Sequence, residues 1–261
     1  MHFLCLCAIY NHSQHWTENL VQCFLDQTHR NATLLLIDDR PYDLSLQMHG
    51  FPAYLRDAGV EYLYLPERQP TLMQKYDAGV QHYDNMFRGL VTSSSHWDAI
   101  CVLDDDDVYL PNFLKRHAEV LGSGARWSYP EKVFSTFGQA LRTEETTGGF
   151  WASAAYSRSI FEEVGGFGNS ARADFDKDML VRCKAICEPG RPSNTQYVYN
   201  WDVTQDSHVS GLMQGQADTT WYKACSVSRA KPGFMPAYNE STLWTLVELN
   251  QKFPEALRDP A

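Results

Sequence analysis

The sequence has no apolar run close to the roughly 20 residues needed to cross a bilayer, so no integral membrane segment is expected. It also lacks an excess of positive charge: 22 Lys plus Arg stand against 32 Asp plus Glu, a formal charge of −10. That balance excludes nucleic-acid binding by bulk electrostatics, though not by a local groove. Neither G-x-G-x-x-G nor G-x-x-x-x-G-K-[ST] occurs, which removes the main support for a Rossmann dinucleotide site or a P-loop. There is no C-x-x-C pair, so a zinc knuckle lacks its ligand spacing. The N-terminus shows neither the basic region nor the long apolar stretch of a secretory signal. Without such a signal, the seven cysteines read as reduced thiols and the expected location is cytoplasmic.

What is present is a chain able to build a large core. Its 261 residues are 44% hydrophobic and 13% aromatic, outside the range of a mainly disordered protein. Phe3–Ile9 reads as a buried strand, and Thr17 as the cap of a helix carrying Leu20, Val21, Phe24 and Leu25 on one stripe. Thr33–Ile37 and Val60–Leu65 read as further strands, with a helix between Tyr42 and Asp57. Leu72, Tyr76, Val80, Tyr83, Phe87 and Leu90 recur at spacings of three and four, a long amphipathic helix. Ala99–Leu103 is a fourth strand, and a helix follows between Pro111 and Gly122. The order β-α-β-α-β-α-β predicts a mostly parallel, doubly wound α/β sheet. The second half is less regular: a strand over Val133–Phe137, short helices over Ser157–Val164 and Asp178–Cys187, and a last helix over Ser241–Phe253.

Two strands run directly into carboxylates. Strand two ends in Asp38-Asp39, and strand four in Asp104-Asp105-Asp106-Asp107. Ligands of open α/β sheets bind outside the carboxyl ends of the strands, so both clusters are expected to face one crevice. Consecutive carboxylates repel one another, and a bound cation relieves that repulsion. Oxygen ligands suit Mg2+ or Mn2+, which commonly bridge a protein carboxylate to substrate phosphates. The bland alternative is a solvated acidic loop ahead of a helix.

Several segments, in order, resemble family-two glycosyltransferases of the GT-A fold. Ala8-Ile9-Tyr10-Asn11, Gln27-Thr28 and Ile37-Asp38-Asp39 are similar to the family's opening strand, helix end and second strand. Leu103-Asp104-Asp105-Asp106-Asp107-Val108-Tyr109-Leu110-Pro111 resembles its D-x-D-D segment. Val164-Gly165-Gly166-Phe167 matches its Gly-Gly-Phe element, and Asp176 to Arg182 is similar to the segment after it, although Phe175 stands where the family has Glu.

The resemblance implies a GT-A fold: one domain over 1–261, with a Rossmann-like, mostly parallel sheet flanked by helices. Residues 1–111 would form the nucleotide-sugar half, 112–210 the acceptor half and 211–261 a C-terminal closure. It implies a metal-dependent, inverting transfer from a nucleoside diphosphate sugar, with UDP-sugar favoured, to an acceptor hydroxyl. Ala8, Tyr10, Asp38, Asp39, Arg68, Lys75, Asp104 and Asp105 would contact the nucleotide. Asp39 would accept the base imide N–H, a role open to an acceptor-only carboxylate. Asp106, with His208, would hold Mn2+ or Mg2+. Asp176 would be the base, with Asp174 and Asp178 its rivals, and Gly149, Phe150 and Trp151 would face the acceptor. The acceptor stays open among a glycan, a small glycoside, a protein and a modified nucleic-acid base. A metal-dependent nucleotidyltransferase, or a non-catalytic sugar-nucleotide or carbohydrate-binding protein, would place carboxylates similarly.

Overall fold

A computed structural model describes residues 1–9, 14–87, 96–136, 141–146, 149–168, 175–200, 245–254 and 257, with backbone alone at 14–16, 49 and 175–177. Strand β1 (Phe3–Ile9) lies centrally, with every residue but Ala8 buried. Its sequence Phe-Leu-Cys-Leu-Cys-Ala-Ile does not alternate in polarity, as expected of a strand covered on both faces. Helix α1 (Gln14–Leu25) returns the chain to β2 (Ala32–Asp38), which pairs parallel with β1 from Phe3↔Ala32 to Ile9↔Asp38. The helix begins three residues before Thr17, which therefore sits inside it and is not its cap.

The stretch expected to hold one helix between 42 and 57 holds two, α2 (Leu46–His49) and α3 (Ala53–Asp57). Gly50 at φ 85° and Pro52 interrupt them, the first through a left-handed backbone and the second through its missing N–H. Strand β3 (Val60–Tyr64) then pairs parallel with β2. Helix α4 (Leu72–Phe87) crosses to β4 (Ala99–Val102), which pairs parallel with β1 on its other side. Gly79 lets α4 settle onto the sheet: a Cβ there would lie 2.3 Å from Ile37 Cδ1.

The six-stranded order is β3-β2-β1-β4-β9-β6. Its last two strands, β9 (Ala155–Ser157) and β6 (Trp127–Ser128), are joined antiparallel. A second sheet, β5-β10-β7-β8, comprises Val108–Tyr109, Tyr197–Tyr199, Lys132–Ser135 and Arg142–Glu145. The remaining helices are α5 (Phe113–Gly122), α6 (Arg158–Glu163), α7 (Phe175–Ile186) and α8 (Leu246–Lys252). Helix α5 starts two residues after Pro111, and α7 starts three residues before the expected Asp178. Thr245 and Glu248 form a reciprocal capping box on α8, satisfying two otherwise orphan N–H groups.

Cys5, Cys7, Cys23, Cys101 and Cys183 are buried free thiols, and Cys187 is partly buried. No helix among the described residues is long and apolar enough to cross a membrane.

The loop after β2 is organised by Asp38, which is 0% exposed. Its Oδ1 accepts from the Arg40 backbone N–H (3.1 Å) and Nε (3.0 Å). Its Oδ2 accepts from Arg40 Nη2 (2.8 Å), Leu46 N–H (3.1 Å) and Tyr62 Oη (3.0 Å). Burial pushes this carboxyl's pKa up, but the Arg40 and Leu46 hydrogen bonds outweigh it, so the net shift is downward. Replacing Asp38 by Asn strands the Arg40 guanidinium and is expected to cost about 3–5 kcal/mol at neutral pH, measured by urea unfolding. Because the folded carboxyl titrates below its ordinary value, this stability is present above about pH 4. It is lost as pH falls through the lower folded value, so wild type and Asp38→Asn should converge in strong acid.

Candidate active site

Strands β2 and β4 flank β1 in parallel register, so Asp38-Asp39 and the run from Asp104 leave the sheet on the same edge, one strand apart. Asp105 adds to the field at Arg40, and Asp104, Asp105 and Asp106 all act on the Cys7 thiol in β1. The two clusters thus share one electrostatic neighbourhood.

Asp39 is 4% exposed. Its Oδ1 lies 2.7 Å from Lys75 Nζ and 3.6 Å from Arg68 Nη1, and its Oδ2 accepts the Gln69 backbone N–H at 3.0 Å. Lys75, projecting from α4 and 3% exposed, also donates to the Ile9 carbonyl at the end of β1. Burial pushes the Lys75 pKa down against the pull of Asp39. Lys75 therefore ties the ends of β1 and β2 together. The reason is helical phase: α4 turns residue 75 toward the sheet, as its neighbour Tyr76 is also turned. The Asp38 oxygens accept from Arg40, Leu46 and Tyr62. Arg68, with a side chain 35% exposed, remains a cation at the rim. Ala8 lies in β1, half-buried, beside this edge.

The acidic run is not a solvated loop. Asp105, Asp106 and Asp107 are 5%, 6% and 1% exposed, and only Asp104 is half-buried. The turn is held at both ends. The Asp104 N–H donates to Tyr109 Oη at 2.7 Å, and the Asp107 N–H to the Asp104 carbonyl at 3.3 Å. Asp107 accepts from Tyr197 Oη and, at 2.9 Å, from the Asn200 N–H, which binds β5 to β10. Burial pushes the Asp107 pKa well up, and Asp106 and Asp104 push it further. Asp107 is thus a structural carboxyl.

Gln27, just after α1, braces the segment that joins β5 to α5: its Nε2 donates to the Leu110 carbonyl (2.9 Å) and its Oε1 accepts from Leu114 N–H (3.0 Å). Thr28 Oγ1 reaches Asn112 Oδ1 at 2.7 Å. The Gln27-Thr28 pair, a family-like motif with no assigned role, therefore fixes the segment after the acidic turn.

No group of three or more His, Cys, Asp or Glu among the described residues is arranged as a metal cluster. The oxygen donors of Asp104, Asp105 and Asp106 nonetheless fit a hard cation that takes one or two protein carboxylates and completes its shell with phosphate and water. His208, Tyr10 and Asp174 lie outside the described residues, as does the side chain of Asp176, whose backbone stands in the first turn of α7. Asp178 is present and pairs with Arg182 at 2.9 Å.

Gly149 is half-buried and donates its N–H to the Thr146 carbonyl at 2.7 Å. Phe150 and Trp151 are 3% and 8% exposed. Phe150 meets the Tyr199 ring edge-on at 5.1 Å, and Trp151 meets Tyr76 (5.8 Å) and Phe167 (6.4 Å). Both rings are core packing rather than open stacking faces, because the aromatic side chains of α4, β10 and the Gly-Gly-Phe loop close over them.

Lys75 is expected to be the most sensitive of these positions to loss of charge. Lys75→Met leaves Asp39 buried without its nearest cation and should cost about 3–5 kcal/mol by denaturant unfolding. Lys75→Met/Asp39→Asn should cost less than the two single losses summed.

No protein-family model and no curated protein matches the sequence. Solved structures match the fold. The S. aureus TarS 1–349 structure superposes with a TM-score of 0.59 at 13% identity, over 77% of this chain and 60% of that one. Its complex with UDP-GlcNAc gives 0.60 at 13% identity, over 79% and 60%. The mannosyltransferase PcManGT from Pyrobaculum calidifontis, in complex with GDP-Man and Mn2+, gives 0.57 at 14% identity, over 88% and 66%. The chain spans less than two thirds of the length of each. Together with the sheet order, these matches show that the chain shares the fold of these structures, the GT-A fold.

Proposed function

We propose that the chain transfers a sugar from a nucleoside diphosphate sugar to an acceptor hydroxyl, with inversion and with a divalent cation. One observation carries the reading: a GT-A sheet brings Asp39 and the Asp104–Asp106 turn to the same edge, on either side of β1. Asp39 would meet the base. It is held rigid by Lys75 and Gln69, and each oxygen of a carboxylate can accept more than one hydrogen bond. Arg68 at the rim would pair with phosphate oxygens. Asp106, with His208, would hold the Mg2+ or Mn2+, and Asp104 and Asp105 would meet the nucleotide beside it. When bound, the cation supplies charge compensation for the leaving diphosphate. Asp176 would take the acceptor proton as the hydroxyl attacks the anomeric carbon. TarS is seen with UDP-GlcNAc and PcManGT with GDP-Man, so the fold accommodates more than one base; UDP-sugar is the favoured donor here.

The test is nucleoside diphosphate release from a panel of UDP-, GDP- and TDP-sugars, with and without Mn2+ or Mg2+. Cation-dependent release is expected. Pyrophosphate release from a nucleoside triphosphate and a sugar phosphate would instead establish a nucleotidyltransferase, and silence in both assays, with no cation-dependent nucleotide binding, would leave a non-catalytic protein. Asp106→Ala should abolish cation-dependent donor binding. Asp176→Asn should keep binding and lower turnover on the order of 100- to 10,000-fold. The opposite pattern would overturn the assigned roles.

A further inference from the structure

The loop Val164–Gly168 turns through three glycines with left-handed backbones, Gly165 (φ 80°), Gly166 (φ 72°) and Gly168 (φ 85°). Such a loop points its carbonyls inward, where they need a donor. Arg182, on the second turn of α7, supplies it. Nη1 donates to the carbonyls of Val164 and, at 3.0 Å, of Gly166; Nη2 donates to the Phe167 carbonyl at 2.9 Å. Nε donates to Asp178 Oδ2 at 2.9 Å, one helical turn earlier. The fit is close, since a Cβ on Gly168 would lie 3.0 Å from Arg182 Nη2.

The loop is held from the opposite side by α4. The half-buried Asp77 carboxylate accepts a hydrogen bond from the Phe167 backbone. The adjacent Tyr76 packs its ring 5.3 Å from that of Phe167, which also meets Phe161 at 5.0 Å. Lys75, Tyr76 and Asp77 are consecutive, so one turn of α4 contacts Asp39 at the donor edge and the glycine loop on the far side.

We infer that Arg182 and Asp77 are positioning residues that fix the first turn of α7 against the donor edge, and that Asp178 belongs to this clamp and not to proton transfer. The catalytic part rests on the reading of Asp176 as base. A guanidinium is needed because lysine cannot serve three carbonyls and a carboxylate in one plane.

The test combines turnover with amide hydrogen exchange on the full chain. Arg182→Lys should lower kcat for donor hydrolysis on the order of 10- to 100-fold, with donor KM changed by less than about twofold, because the donor edge is untouched. That factor should vanish in the Asp176→Asn background, and Asp178→Asn should lose no more than Arg182→Lys does. Exchange should quicken at 164–168 and at 175–178, and stay unchanged in β1. The inference is overturned if the Arg182→Lys factor persists without Asp176, if Asp178→Asn is as damaging as Asp176→Asn, or if 175–178 exchange is unaltered. Wild-type turnover in Asp176→Asn would sink the base reading and the catalytic part with it, and exchange would still decide whether the clamp orders α7. If Arg182→Lys does not fold, Asp77→Ala removes only the α4 half of the clamp and is read by the same measurements.

Discussion

Negative charge withdrawn from water at the carboxyl ends of two parallel strands is the constraint on which the rest of this structure depends. Isolated buried carboxylates are too costly to persist, so each must be matched by donors or lose its charge. Asp38 is matched by Arg40, Asp39 by Lys75, and Asp107 by Tyr197 and the Asn200 backbone. The last two matches join segments distant in sequence. Lys75 binds α4 to β1 and β2, and Asp107 binds the turn after β4 to β10. The architecture around the crevice is therefore largely an arrangement for holding acidic groups in place.

The first half of the fold was legible in the amino acids because its signals are local. Phe3–Ile9, Thr33–Ile37, Val60–Leu65 and Ala99–Leu103 are apolar runs bounded by turn or charged residues, and each became a strand of the parallel sheet. The second sheet and the antiparallel end of the first were mostly hidden. Strands such as Val108–Tyr109 and Trp127–Ser128 have two residues, too few for any period to register. They exist because partners elsewhere pair with them, Tyr197↔Tyr109 and Trp127↔Tyr156 among them.

The same division applies to the site. That carboxylates gather at one edge follows from strand order, and strand order from the run of elements. Which carboxylate does what does not, since it depends on contacts spanning tens of residues. Lys75 meets Asp39 across 36 positions and Ile9 across 66, and Tyr197 meets Asp107 across 90. A charge at a strand end or on a helix, as at Asp38 and Lys75, carries little mark of the direction it faces. The one usable sign was Arg40 two residues after Asp38, close enough for a side chain to fold back onto the carboxylate.

The contacts within the acidic run bear on which of its members can serve a ligand. Read as a string, Asp104-Asp105-Asp106-Asp107 allows a D-x-D pattern to begin at either of two positions. The pattern beginning at Asp105 would require Asp107 to face outward. Asp107 is 1% exposed, with one oxygen on Tyr197 and the other on Asn200, and turning it outward would break both bonds and detach β10 from the turn. The pattern beginning at Asp104 leaves those two bonds in place, and Asp104 is the most exposed of the four, its backbone N–H secured by Tyr109. Asp107 is thus the anchor that keeps the acidic run at the edge of the sheet.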